Sequence, residues 1–276
     1  MTQAHSPLIA CIGGGNMARA ILGGLVQQGL AGEQITVIEP HEESRALLRQ
    51  SGMHAAPDAL AAAPALAHAD LVIWAVKPQV FREAAQPVAP HAGAALHLSV
   101  AAGIPSASIA RWLGTERVVR AMPNMPALIG QGISGLYARA GVSGADRAQV
   151  ERVIGTTGEF LWLEDENQLD AVTALSGSGP AYVFFFLEAM VQAGAKMGLT
   201  AEQSKRLALA TFRGATALAS RSDESPEVLR QRVTSKGGTT HAAITHLQAT
   251  QVPEHFIEAL HAAQQRAREL ADEFGA

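Results

Sequence analysis

The sequence has almost no cysteine, and its histidines are not grouped as in a metal site. It contains one cysteine, Cys11, in 276 residues, so no disulfide can form within the chain. Because Cys11 lies inside an apolar run, we interpret it as a small buried core residue and not as a nucleophile. The ten histidines are scattered, and His241 and His246 have no acidic or thiol partner at ligand spacing. We therefore expect no metal site.

Charge and long hydrophobic runs are also scarce. The formal net charge of −4 argues against a general nucleic-acid-binding protein, because such proteins carry a basic stripe. No run of about 20 apolar residues occurs, so we expect no membrane span. The first residues, MTQAHSPLIA, lack the basic segment and the long apolar core of a signal peptide. We therefore expect a cytoplasmic protein.

Short apolar segments alternate with helix-like segments up to residue 164. The apolar segments are 8–12, 35–38, 71–76, 96–100, 117–122, 133–137 and 160–163. The helix-like segments between them include 17–28, 42–50 and 145–156. This alternation predicts an α/β domain with a parallel sheet over residues 1–164.

The strand pattern stops after residue 164. Apolar residues then recur at helical spacing, as Phe184, Leu187 and Val191 do. We predict a second, all-helical domain over residues 165–276. Its large apolar helices have few partners in their own chain, which predicts a dimer.

Three consecutive glycines follow the first apolar segment, in LIACIGGGNMARAILGGL. The spacing of Gly13, Gly15 and Ala18 is that of a dinucleotide-binding fingerprint, and it lies between a predicted strand and a predicted helix. Gly13 allows a tight turn, and Gly15 allows the backbone to approach a pyrophosphate. The second strand ends at Glu39, where an acidic side chain can bind ribose hydroxyls. An ordinary strand-to-helix turn is the alternative, and the context favours dinucleotide binding.

Three further segments place small residues, proline and asparagine at predicted strand ends. They are AVKP at 75–78, SVAAG at 99–103 and AMPNMPALIGQG at 121–132. Ligands of open α/β sheets bind at the carboxyl ends of the strands. Each segment alone is also explained as a structural loop, and Lys77 as a solvated charge. Together they favour one shared site.

Two glycine-containing segments lie in the helical half. TALSGSGPAYVFF, 173–185, is largely explained as a well-capped helix with Pro180 in its first turn. In VTSKGGTTHAAITHL, Gly237 and Gly238 precede a helix start near Thr240, an arrangement that can present backbone N–H groups to a carboxylate. A helix–turn–helix link with a threonine cap is the alternative. Hydroxyl groups are added by Ser235, Thr239 and Thr240.

The motifs taken together resemble a known family. IGGGNM, AVKP, SVAAG, RAMPN-P, ALSGSGPAYVF and VTSKGGTTHAAI occur in the order seen in pyrroline-5-carboxylate reductases, and the resemblance covers essentially the whole chain. It implies a Rossmann domain, a helical dimerisation domain, and the reduction of L-1-pyrroline-5-carboxylate to L-proline, the last step of proline biosynthesis. It implies NADPH as the hydride donor, with NADH also used. It implies a homodimer, with five dimers in a ring in some relatives.

The resemblance also assigns residues to the site. It implies that the cofactor is bound by Gly13, Gly14, Gly15, Asn16, Met17, Ala75, Val76, Lys77, Pro78, Ala101, Ala102 and Gly103. It implies that the substrate carboxylate is held by the 235–240 loop, through Ser235, Gly237, Gly238 and Thr239. Thr240 matches the family's catalytic hydroxyl, which contacts the ring nitrogen. In the family the active site lies between the nucleotide domain and the helical domain contributed across the dimer.

The sequence departs from the family pattern at several positions. Met125 stands where many members have threonine, and Lys236 where many have proline. The region 61–63 lacks an asparagine that often lies near the adenine ribose. Glu39 stands where the family often favours a phosphate, which leaves the choice between NADPH and NADH open. We expect Glu39→Ser to shift the preference toward NADPH.

Two other functions are compatible with parts of the pattern. A 3-hydroxyacid dehydrogenase of similar layout needs a catalytic lysine on a helix with an asparagine nearby. Lys196 is the one candidate, but it has no neighbouring asparagine and lies at a helix end, where a lysine is expected anyway. A non-catalytic NAD(P)-binding protein is the second alternative, and it would bind the cofactor without turning over an imine.

Overall fold

The computed structural model describes residues 6–275 and contains an eight-stranded sheet followed by helices. The strands are β1 (Ile9–Ile12), β2 (Ile35–Ile38), β3 (His54–Ala56), β4 (Leu71–Trp74), β5 (Leu96–Ser99), β6 (Val118–Met122), β7 (Gly132–Ala138) and β8 (Gly158–Trp162). The predicted strands are confirmed with ends shifted by up to two residues. β3 was missed, because three residues with two alanines do not form an apolar run.

The strand order is β3-β2-β1-β4-β5-β6-β7-β8. All neighbours are parallel except β6 and β7, which are antiparallel. The prediction of a purely parallel sheet is therefore wrong. The physical reason is chain length: only residues 123–131 join β6 to β7, and a parallel crossover needs about a dozen residues or more.

Helices cover the sheet and continue beyond it. Those between the strands are α1 (Asn16–Gln27), α2 (Glu42–Gln50), α3 (Ala63–His68), α4 (Pro78–Ala92), α5 (Ser106–Leu113) and α6 (Gly144–Ile154). Those after the last strand are α7 (Gln168–Val172), α8 (Gly179–Lys196), α9 (Ala201–Ala219), α10 (Pro226–Arg232), α11 (Thr239–Ala249) and α12 (Val252–Phe274). The prediction that strands end before the helical half is confirmed for the described residues.

The core has one layer on each face of the sheet, because side chains along a buried strand alternate between the faces. Cys11 and Ile73 belong to one layer, with Ile21 and Leu22 of α1. The other layer contains Trp74 and the residues of α3, α4 and α5 that face the sheet. Cys11 is fully buried, and burial, with a smaller contribution from the charge of Glu39, raises the pKa of its thiol to about 12. The thiol is therefore neutral, as expected of a core residue.

The described chain forms two compact units. One comprises the residues up to Ser178 together with those from Ala263 onward, and the other is Gly179–Ala262. The second half of α12 thus belongs to the first unit.

The serine- and glycine-rich stretch before Pro180 does not start a capped helix. A π-helical turn, Thr173–Gly177, joins α7 to α8, and the Ser178 N–H donates to the Thr173 carbonyl at 2.8 Å. The interpretation as a well-capped helix is therefore corrected. Pro180 has no N–H to give to the preceding turn, so a widened turn just before it avoids the missing bond.

One helical segment of the described chain, Gln168–Lys196, is long and apolar enough to cross a membrane. Its mean hydropathy is 1.3, and little of it is buried in the described structure. This finding rests on length and composition alone, and core helices of water-soluble proteins meet the same criterion. The expected absence of a membrane span stays a prediction.

Candidate active site

A cleft of about 620 Å³ opens at the carboxyl ends of β1, β2 and β4. It lies where the strand order reverses, the position at which open α/β sheets bind nucleotides. Its walls come from the glycine loop, the end of β2 and the first turns of α4. The lining residues are Ile12, Gly13, Gly14, Gly15, Ile38, Glu39, Pro40, His41, Pro57, Asp58, Ala59, Ala75, Val76, Lys77, Val80, Glu83, Ala84, Pro87 and Val88.

The glycine loop lies against the end of β4. Gly13 has φ +93°, and a Cβ there would lie 2.7 Å from the carbonyl oxygen of Ala75, so only glycine fits. Gly15 begins α1 with no side-chain cap, and a Cβ there would meet no atom within 4 Å. No side chain caps the first turn of α1 and the space beside Gly15 is open, an arrangement that suits a pyrophosphate.

Glu39 makes two hydrogen bonds to backbone N–H groups. Its Oε2 accepts from Gly14 and its Oε1 from His41, both at 2.9 Å. The residue is only 7% exposed, so these bonds hold the carboxylate in place beside the glycine loop. The sequence predicted a ribose ligand at this position, and the structure adds a role in bracing the loop.

The charged side chains around the cleft are mainly acidic. Three acidic side chains line it, those of Glu39, Asp58 and Glu83. Lys77 and His41 are the basic residues among the lining residues. Nearby Arg45 is turned toward the backbone: its Nη1 donates to the carbonyls of Glu39 and Pro40 at 2.8 and 2.7 Å. Its Nη2 pairs with Glu42 at 2.5 Å.

The predicted cofactor residues divide into two groups. The cleft brings together Gly13, Gly14, Gly15, Glu39, Ala75, Val76 and Lys77. Not among its lining residues are Asn16, Met17, Pro78, Ala101, Ala102 and Gly103. Ala101 is buried, and its N–H donates to Ser99 Oγ at 3.3 Å. Gly103, at φ +76°, packs against Leu270, whose Cβ would lie 3.1 Å from an added Cβ.

The segment before α11 is a largely exposed loop that contains two glycines. Gly237 has φ +76°, and the Gly238 N–H donates to the Ser235 carbonyl at 3.0 Å. Gly238 is the N-cap residue, and no side chain caps the helix. The threonine-cap alternative is therefore wrong, because Thr239 already lies inside the helix. Thr240 is half-buried, and Ser235 and Thr239 are exposed.

Sequence reasoning missed an ion pair between buried Arg120 and partly buried Glu166, in which Arg120 Nη1 and Glu166 Oε1 lie 2.6 Å apart. The available signal was Arg120 itself, a charge within the apolar strand VVRAM. Asn124, from the strand-end segment 121–132, has a structural contact: its Oδ1 accepts the Ile133 N–H at 3.0 Å. Within residues 6–275, no group of three His, Cys, Asp or Glu side chains is placed to hold a metal ion. Lys196 ends α8, as a helix-end lysine does.

Two family models match the chain. "Pyrroline-5-carboxylate reductase dimerisation" matches residues 166–270, and "NADP oxidoreductase coenzyme F420-dependent" matches residues 8–103. Together they agree with an N-terminal Rossmann-type domain and a helical dimerisation domain, so the predicted fold class is confirmed.

Curated relatives and solved structures match along nearly the whole chain. A pyrroline-5-carboxylate reductase of Pseudomonas aeruginosa is 48% identical over 98% of this chain and 99% of its own length. One from Haemophilus influenzae is 38% identical over 95% of this chain and 97% of its own length. The structure of the enzyme from Coxiella burnetii has a TM-score of 0.88 at 36% identity, covering 97% of this chain and 99% of its own.

A further structure, that of Plasmodium falciparum pyrroline carboxylate reductase with NADP bound, has a TM-score of 0.87 at 25% identity. It covers 98% of this chain and 100% of its own. The resemblance inferred from the motifs is thereby confirmed. With sequence identity of this level along almost its full length, the chain belongs to the pyrroline-5-carboxylate reductase family.

Proposed function

We propose that this protein reduces L-1-pyrroline-5-carboxylate to L-proline with NADPH, and also with NADH. The supporting observation is an uncapped helix N-terminus behind a glycine loop, at the cleft of a chain that matches such reductases over its whole length. The relative from Plasmodium falciparum has NADP bound, which supports NADPH as a donor for this chain.

The glycine loop and the first turn of α1 fit the pyrophosphate of a dinucleotide. We assign Gly13–Met17, Glu39, Ala75–Pro78 and Ala101–Gly103 to the cofactor. The bound reduced nicotinamide supplies the hydride for the imine carbon. The task of these residues is to hold the cofactor in one orientation, and positioning of this kind can supply much of a rate enhancement.

The 235–240 loop fits the carboxylate of the substrate. The uncapped start of α11, with the hydroxyls of Ser235 and Thr239, suits a small anion. Thr240 offers a hydroxyl to the ring nitrogen. Because a cyclic imine is basic and binds a proton from solution, a hydrogen bond to its nitrogen suffices and no strong general acid is required.

The function is tested by following the absorbance of NADPH and of NADH with pyrroline-5-carboxylate present or omitted. We expect oxidation of the cofactor only when the imine is present, and proline as the product. Turnover of a 3-hydroxyacid in place of the imine would assign the protein to the dehydrogenase alternative. Cofactor binding without any turnover would assign it to the non-catalytic alternative.

Glu39 is expected to set the balance between the two cofactors. In Glu39→Ser the Gly14 N–H loses its acceptor, which weakens binding of both, but a negative charge near the 2′ position is also removed. We expect kcat/KM for NADH to fall and the NADPH/NADH ratio of kcat/KM to rise by about 3- to 10-fold, as for one or two hydrogen bonds. Equal losses for both cofactors would show that Glu39 only braces the loop.

The Thr240 hydroxyl is expected to contribute to turnover. Thr240→Val keeps the shape of the side chain and removes the hydrogen bond, which lowers kcat/KM by about 3- to 10-fold. Thr250→Val is the matched control, because that hydroxyl bonds the His246 carbonyl at the other end of α11. We expect the control to keep normal kinetics. A Thr240→Val protein with a lowered Tm but normal turnover would contradict the catalytic role.

Gly238→Ala tests the carboxylate loop separately. A Cβ at Gly238 would lie 2.8 Å from Ser235 Oγ and 3.2 Å from the Ser235 carbonyl oxygen, so the serine hydroxyl has to turn away and the carbonyl has to move slightly. We expect a higher KM for the imine and an unchanged Kd for NADPH. A raised Kd for NADPH with an unchanged KM for the imine would contradict the assignment of this loop to the substrate.

We propose a homodimer built on the helical half, in the domain division 1–164 and 165–276. Large apolar side chains are exposed on α8 and α9, including Phe184, Phe185, Leu207 and Leu218. A second copy would cover them, and this also accounts for the apolar character of the 168–196 segment without a membrane. Five such dimers in a ring, and a cytoplasmic location, complete the proposal. A single-chain mass in solution at all concentrations would contradict the dimer.

A further inference from the structure

A cluster of charged and polar side chains lies beside the end of β5, with Ser106 and Arg120 buried and Glu166 and Arg139 partly buried. Glu166 accepts the Ser106 N–H at 2.5 Å and the Ser106 Oγ–H at 2.6 Å. It also accepts from Arg120 Nη1 at 2.6 Å. Arg139 Nη1 donates to Ser106 Oγ at 3.2 Å, so the serine hydroxyl bridges two charged groups. The cluster thus joins β6, the residue after β7, the first residue of α5 and the segment after β8.

Burying charged groups of this cluster costs free energy, which offsets much of the stability that its ion pair contributes. The Arg120 side chain is 9% exposed, and its Nε has no hydrogen-bond partner within the described part of the chain. Burial alone would raise the pKa of Glu166, but the Ser106 hydrogen bonds and the Arg120 charge outweigh burial and hold that pKa below its usual value. Apolar residues of similar shape often stabilise a fold as well as a buried ion pair does. What the pair adds is a single defined geometry.

The cluster holds one side of the loop that leaves β5, and the end of α12 holds the other. Gly103 packs against Leu270, as described above. Gly275 lies against Pro105, where an added Cβ would come within 2.7 Å of the proline Cδ, and its carbonyl accepts from Ser108 Oγ. The segment from Gly103 to Ser108 is therefore fixed from both sides.

The two residues of the ion pair also lie next to the end of β6 and the start of α7. Arg120 pairs with Ser99 in the sheet register and precedes the last residue of β6, Met122, by two positions. Glu166 precedes α7 by two positions. The π-helical turn after α7 packs on β6, because a Cβ at Gly177 would lie 2.6 Å from Met122 Cε. One ion pair thus fixes the loop after β5, the end of β6 and the entry to α7.

We propose that Arg120 and Glu166 are positioning residues, which hold the Ala101–Gly103 segment in the conformation that binds the nicotinamide cofactor. This inference rests on the proposed function, since that assigns Ala101–Gly103 to the cofactor. Neither side chain lines the cleft. They act through the loop between β5 and α5 and not by contact with the reacting atoms.

The test compares Arg120→Met with Arg117→Met. Arg117 lies just before β6, at the opposite end of the strand, and also forms a 2.6 Å ion pair, with Asp146. The Kd for NADPH is measured on the resting protein by fluorescence titration, beside Tm, kcat and KM. We expect Arg120→Met to raise the Kd and to lower kcat/KM by about 10- to 100-fold, as a displacement of about 1 Å in a site does. We expect Arg117→Met to lower Tm and leave the Kd and kcat/KM within about twofold.

Two more variants distinguish a loss of positioning from a loss of folding. Arg120→Met/Glu166→Gln removes both charges, so that no lone buried charge unfolds the protein. Arg120→Lys keeps the charge pair, and we expect it to recover much of the affinity. A double variant that binds NADPH and turns over within about twofold of the parent would overturn the inference. An unaltered protein that fails to reduce pyrroline-5-carboxylate would instead overturn the proposed function, while the NADPH titration still tests the positioning role.

Discussion

Gly13→Ala is expected to lower both the stability of the protein and its affinity for the cofactor, whereas Gly15→Ala lowers the affinity alone. At Gly13 the backbone has φ +93°, and a Cβ would lie 2.7 Å from the Ala75 carbonyl oxygen and 3.1 Å from Val76 Cγ1. Strain of this kind costs on the order of 1–3 kcal/mol, before the clash is counted. At Gly15, φ is −70° and the added Cβ meets no atom, so alanine fits the folded chain.

The two variants separate the fold from the site. The Cβ of Gly15→Ala projects into the space where we place the pyrophosphate, so we expect its Kd for NADPH to rise at least about 10-fold at an unchanged Tm. Gly29→Ala is a control for positive φ alone, because Gly29 has φ +99° with nothing within 4 Å and lies outside the lining of the cleft. It should lose stability and keep its affinity. Normal NADPH binding by Gly15→Ala would contradict the cofactor assignment of this cleft.

Acidification is expected to destabilise the protein through His97. This residue is 1% exposed, accepts the Trp74 indole N–H on Nδ1 at 3.0 Å and donates from Nε2 to the Ala92 carbonyl at 3.1 Å. Burial lowers its pKa to about 4, the Ala92 hydrogen bond opposes the shift, and the Arg117 charge adds to it. In the unfolded chain the pKa is about 6.5, so the unfolded state binds more protons between these values. Stability therefore falls as the pH falls below about 6.5, and the loss is complete near 4, at about 3 kcal/mol.

The measurement is the free energy of unfolding at about pH 7.5 and about pH 5, for which the His97 contribution differs by about 2 kcal/mol. His97→Gln is the matched variant, because an amide can accept from Trp74 and donate to the Ala92 carbonyl but does not titrate. We expect the variant to lose less stability on acidification than the parent does, by that amount. Parallel pH dependences for the two proteins would show that another group carries the effect.

Most of the fold could be predicted because its signals are local. The seven apolar segments that the sequence predicts as strands are strands, and the segments 17–28, 42–50 and 145–156 match α1, α2 and α6 to within two residues. The two failures in the sheet have different causes. β3 is too short and too rich in alanine to form a recognisable apolar run. β7 is antiparallel because the connection after β6 is short, and the alternation of strands and helices does not predict strand direction.

The cleft at the glycine loop was predictable for the same reason. Gly13 and Gly15 lie in a strand–glycine–helix pattern that imposes its own geometry on the backbone, and the cleft forms where the pattern predicts a dinucleotide. The family motifs predicted the reaction and the 235–240 loop. Whether the assigned residues bind cofactor and substrate stays a prediction until the variants above are measured.

The sequence by itself determined the helix and strand periods, the conformations that only glycine adopts and the family, because these depend on residues a few positions apart or on motifs that are read in order. Only the tertiary structure decided which partners the buried charges have. Glu39 bonds to a loop 25 residues away, and Glu166 pairs with Arg120 across 46 residues. A buried charge needs a partner wherever the folded chain brings one, and that choice depends on how the strands are ordered and how closely the loops approach.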